Sequence, residues 1–170
     1  MLYFSAMIYY KRFLFCLAIM ELLFFSYAGH VSCQEHIRKL DVVRVSMTKM
    51  GSVLPELTRK AQPHDIRTME RVFEINNYSL VIIESYFKMI KIALSSGTGL
   101  NKDVLSILNG WLKFVLNYCE YDIKYMDEAL SQTKDAAIIE ILKSEKSNIS
   151  SLRDASQFGI NENTATSDKL

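Results

Sequence analysis

Two polar residues stand where apolar ones belong. Ile66, Met69, Phe73, Asn76, Leu80, Ile83, Phe87, Ile90 and Leu94 follow one another at steps of three and four. That is one helical seam with a single polar member. Val104, Leu108, Trp111, Val115, Tyr118, Asp122, Tyr125 and Ala129 form a second seam, and Asp122 is its lone charge. If the two helices fold back on each other at Ser95–Gly99, Asn76 faces Asp122. A carboxylate withdrawn from water needs a donor, and an Asn amide offers two N–H groups. Arg71, Lys124 and Tyr125 reach the same layer. The pair implies either a contact that fixes helix register at a cost in stability or a ligand or ion site within a bundle. Two polar groups are few for a site, so the register contact is the expectation.

Other chemistry is sparse. The three histidines, His30, His36 and His64, are scattered, and His36 and His64 are expected in solvent. No Glu-x-x-His pair, Cys-x-x-Cys, glycine-rich phosphate loop or Gly-x-Ser-x-Gly occurs, so no metal or cofactor is expected. Cys119 reads as a small core residue, with a disulfide to Cys33 open in an oxidising compartment. Two glycosylation sequons, at Asn77 and Asn148, carry little weight because the motif is short. Tyr118, Tyr121 and Tyr125 share one helix flank, which marks a candidate protein interface.

The elements that position these residues are helices. After the N-terminal stretch only Pro55 and Pro63 occur, with five glycines, too little punctuation for a sandwich or barrel. Pro63 suits a first helical turn, capped by Asp65 or Gln62. Asn101 caps the next helix, with Asp103 in its first turn; Gly110 weakens that helix by about 1 kcal/mol relative to Ala. Ile37, Leu40, Val43, Met47, Met50, Leu54, Leu57 and Ala61 form an upstream seam, expected to kink or split at Gly51–Pro55. Ile138, Leu142, Ile149 and Leu152 supply a weaker stripe between Asp135 and about Ala155. The fold class that follows is all-α, an up-down-up-down bundle of three to four long antiparallel helices. The bundle domain spans 34–156, and the small polar tail 157–170 reads as disordered.

The N-terminus reads as targeting. Lys11 and Arg12 precede the apolar run 13–28, and Ser26 and Ala28 suit cleavage before Gly29; a second cut would follow Cys33. Initiation at Met7 would give a more ordinary signal. Residues 1–33 are therefore a signal peptide or membrane anchor. Glu21 within the run would cost about 2–3 kcal/mol at a bilayer centre, which favours cleavage. Lipidation of Cys33 is the bacterial alternative, although His30 stands where a lipobox has Leu. The expected place is secreted, periplasmic or cell-envelope, with a membrane-tethered form as alternative. Membrane contact is expected only through this segment or a lipid on Cys33.

Charge excludes a class of partner. Lys plus Arg number 20 and Asp plus Glu 19; removing Lys11, Arg12 and Glu21 leaves 18 of each. A chain without net charge or a basic run has no footprint for nucleic acid. The expected function is a non-catalytic interaction or structural role, through an unknown protein partner or self-association. A carrier of a small apolar ligand is the alternative, and an enzyme of unknown type comes third.

Overall fold

The computed structural model describes residues 35–96 and 99–170, and among them four α-helices and no strand. Helix α1 covers 35–60. Helix α2 is Ile66–Ser95, α3 is Lys102–Gln132 and α4 is Ala136–Ser167. Residues 36–170 pack as one unit. Cross-helix pairs run in opposite directions along the chain. His36 meets Tyr86 and Glu162, Arg44 meets Glu84, and Ser46 meets Asn148. Tyr78 meets Tyr118, and Asn109 meets Asn163. Neighbours are thus antiparallel, and the fold is an all-α four-helix bundle.

Short connections force this arrangement, and local chemistry starts each helix. The Asn101 side chain accepts a hydrogen bond from the Val104 amide at 3.0 Å. The Asp135 side chain accepts from Ala137 and Ile138. Each satisfies amides that a helix start leaves without partners. Gly99 takes φ +61°, a left-handed value open to glycine at little cost, in the α2–α3 turn. The expected side-chain cap on α2 is not made. Asp65 has helical backbone angles and no capping bond; its carboxylate instead lies 3.1 Å from His64.

Two further expectations need correction. Of the kink or split expected at Gly51–Pro55, the split is not made: α1 continues as one helix through Pro55. Leu54 is fully buried beside the proline, so packing outweighs the one lost hydrogen bond. The tail from Gln157, expected to be disordered, is helical to Ser167. Its polar residues are tied in. Ser156, Thr164 and Thr166 hydroxyls donate to carbonyls four residues back, and the Asn163 amide donates to Asn109 on α3 at 2.9 Å.

The core is built from Leu40, Val43, Met47 and Leu54 of α1, Met69, Ile75, Ile83 and Tyr86 of α2, Leu108, Leu112 and Met126 of α3, and Leu142, Ile149 and Leu152 of α4. Both expected seams of the central hairpin are turned slightly. On α3 the buried line is Leu105, Leu108, Leu112, Val115, Cys119, Asp122, Met126 and Ala129. Trp111, Tyr118 and Tyr125 lie at its margin, half-buried. On α2, Val72, Ile75, Ser79, Ile82, Tyr86 and Ala93 join the buried face, while Ile66 and Leu94 end up exposed.

Candidate functional site

Asn76 on α2 and Asp122 on α3 are both fully buried, yet no hydrogen bond joins them. Neither the Asn76 amide nor the Asp122 carboxylate makes a full hydrogen bond to another protein group. The Asn76 side chain lies against α1. A Cβ at Gly51 would sit 2.8 Å from Asn76 Nδ2, so the glycine leaves the space that the amide fills. Asp122, on α3, lies against α2. Arg71 Nη2 stands 3.7 Å from its Oδ1, and the Tyr118 hydroxyl also bears on it. Burial still wins, and the Asp122 carboxyl titrates above its ordinary value. The expected contact is therefore replaced by two separate burials, one under α1 and one behind Arg71 and Tyr118. Lys124 is not part of the layer and pairs with Glu128 at 4.0 Å.

A second buried acid deepens this polar interior. Glu145 on α4 is fully buried. Its Oε2 accepts from the Asn148 amide at 3.1 Å, and Asn148 accepts from Ser46 of α1 at 2.7 Å. Desolvation pushes the Glu145 carboxyl up to about 7 against the pull of Asn148, and the charge of Asp122 adds to the rise. Cys119 carries a free, buried thiol, pushed up to about 12 by burial first and by Asp122 second. A thiol so held is a poor nucleophile. Cys33, named for lipidation or a disulfide, lies outside the described residues, as do residues 1–33 as a whole.

His36 overturns its expected place in solvent. Its ring is fully buried. Nδ1 lies 3.0 Å from Glu162 Oε2 and Nε2 lies 2.9 Å from the Tyr86 hydroxyl. Burial lowers its pKa despite Glu162. The arrangement clamps the start of α1 to α2 and α4. Counting back by threes and fours from Met47, Val43 and Leu40 reaches His36 by a step of four as readily as Ile37 by a step of three, and the fold buries His36 more completely. Glu145 was more legible: counting on by fours and threes from Ile138 and Leu142 lands on it.

On the surface, α2 and α3 leave a groove of about 770 Å³ lined by Arg71, Phe73, Glu74, Tyr78, Val81, Phe114 and Tyr118 among others. The rings of Tyr78 and Tyr118 are 4.9 Å apart, and Phe114 leans on Trp111 with ring centres 5.7 Å apart. One end is polar. Arg71 bonds Glu74 at 3.1 Å, stands over the Tyr125 ring at 5.9 Å, and closes the groove off from Asp122. The three tyrosines of the expected interface flank thus separate. Tyr118 lines the groove, Tyr125 is half-buried under Arg71, and Tyr121 projects into solvent.

Among the described residues no cluster of three or more His, Cys, Asp or Glu side chains is placed to hold a metal ion. Among them also, no helix is long and apolar enough to cross a membrane. The chain matches no family model, no curated protein and no solved structure.

Proposed function

We propose that this chain is an exported, non-catalytic binding protein whose α2–α3 groove docks an apolar segment of a protein partner. The observation that carries this reading is the groove itself. Phe73, Tyr78, Val81, Phe114 and Tyr118 gather on two adjacent helices, and Tyr78, Val81 and Phe114 remain substantially exposed. Aromatic side chains in a depression are the usual anchors of protein recognition. The Arg71–Glu74 pair at one end would fix the orientation of a bound segment without placing net charge there. Export rests on the basic pair Lys11–Arg12 followed by the apolar run 13–28.

Native mass spectrometry of protein purified from its own source tests the reading. The wild type should retain a protein partner, and Phe114→Glu should lose it while keeping native helicity by circular dichroism. The groove volume also falls within the range of small-molecule sites, which favours a carrier of an apolar ligand as the second reading. A co-purifying small molecule in place of a protein would establish that one instead.

A further inference from the structure

Helix α3 carries a glycine that its own fold does not require. Gly110 is exposed, its φ is not in the left-handed region, and a Cβ built there would meet nothing within 4 Å. A glycine inside a helix costs about 1 kcal/mol relative to Ala, a cost that no contact within the protomer offsets at Gly110, and a bare helix surface of this kind admits close approach of another backbone or side chain. The residues around it point the same way. Ile107, Phe114 and Tyr121 are 64%, 45% and 66% exposed and recur every seven residues. Asp103, Ile107, Gly110, Phe114, Asn117, Tyr121 and Lys124 are separated by steps of four and three, which places them on one outward face. That face is about 32 Å long, and Phe114 joins it to the α2–α3 groove.

We propose that a second copy of this chain covers this face, with two α3 helices crossing antiparallel about a two-fold axis and each Phe114 seated on the other's Gly110. The inference rests on the reading of this surface as a docking site and names its occupant. Size complementarity supports it, since the ring of one copy fills the space the missing Cβ leaves in the other, twice over. Charge supports it as well. In an antiparallel crossing Asp103 of each copy comes within a turn of Lys124 of the other. A parallel pairing would set Asp103 against Asp103 and Lys124 against Lys124. Self-complementarity of this kind is what an isologous dimer requires, and Tyr78 and Val81 on α2 broaden the patch.

Sedimentation equilibrium of the processed protein, purified from cells expressing the full chain, tests this. The wild type should be a dimer. Gly110→Leu and Phe114→Glu should each weaken it by at least about tenfold with native helicity retained. Asp103→Lys and Lys124→Asp should each weaken it, and the two together should restore it, an outcome that misfolding cannot imitate. A wild type that stays monomeric at about 100 µM, a far weaker regime than stable dimers show, would overturn the proposal. So would a dimer indifferent to Gly110→Leu and Phe114→Glu, or a double charge exchange that fails to rescue. A monomer that still captures a different protein in a Phe114-dependent way would overturn the second copy alone and leave the groove reading standing.

Discussion

An ionised carboxylate in an apolar interior without a cation is costly, and Glu145 is placed to show this as a pH effect. Its proton is held more tightly in the folded chain than in the unfolded one, because burial raises its pKa from 4.5 to about 7. Stability contributed by the bound proton is present below pH 4.5 and is lost as pH rises through 4.5 to about 7. The shift corresponds to about 3 kcal/mol. Asp122, also raised, acts in the same direction. His36 acts in the opposite one: its lowered pKa means that stability is lost as pH falls below 6.5. Glu145→Gln keeps a partner for Asn148 and removes the titration. Urea denaturation should therefore give equal stability for wild type and variant at pH 4.5 and a gain of about 2–3 kcal/mol for the variant at pH 8. Parallel pH profiles would show that Glu145 is solvated in the folded protein.

At the scale of elements, the helices were legible where apolar residues mark their period and illegible where small polar residues continue it. The 4–3 count on α4 runs from Ile138 through Leu142, Glu145, Ile149 and Leu152 to Ser156, Gly159 and Asn163, all buried. Only the apolar half of that series reads as a stripe, so the sequence signal for the helix runs out near Ala155. Gly159 shows why a small residue was needed. A Cβ there would come 2.9 Å from Leu112 Cδ1 and 3.1 Å from His36 Cδ2, both belonging to buried side chains. Gly159→Ala gains about 1 kcal/mol of helix propensity but overpacks the α1–α3–α4 junction, at about 1–3 kcal/mol. A net loss of stability is expected in thermal unfolding. By contrast Gly110→Ala, with open space around it, should stabilise the protomer, and opposite signs at the two glycines check both placements. On α3, Trp111, Tyr118 and Tyr125 lie at the margin, and Leu112, Cys119 and Met126 take the central line.

For the molecule as a whole, antiparallel order was legible because the connections are short, and the interior polar groups were legible only one at a time. Asn76 and Asp122 stood out as interruptions, and both are buried. Sequence spacing alone could not show that Asn76 turns towards Gly51 while Asp122 turns towards Arg71. Of the groove only Tyr118 was legible, as part of the tyrosine flank; the depression itself depends on how α2 and α3 pack around Tyr78 and Phe114.

The thiol of Cys119 lies at the centre of this bundle, fully buried between helices. It can therefore serve as a clock. A thiol reagent reaches it only when the helices part, so its rate of modification reports how often the whole unit opens rather than how its surface breathes. With Cys16 and Cys33 absent from the mature chain or replaced by Ser, labelling should follow global unfolding and accelerate with urea along the same slope as the loss of helicity. Labelling much faster than unfolding would reveal a local separation of α3 from its neighbours, at the helix that carries both the groove and the outward aromatic face.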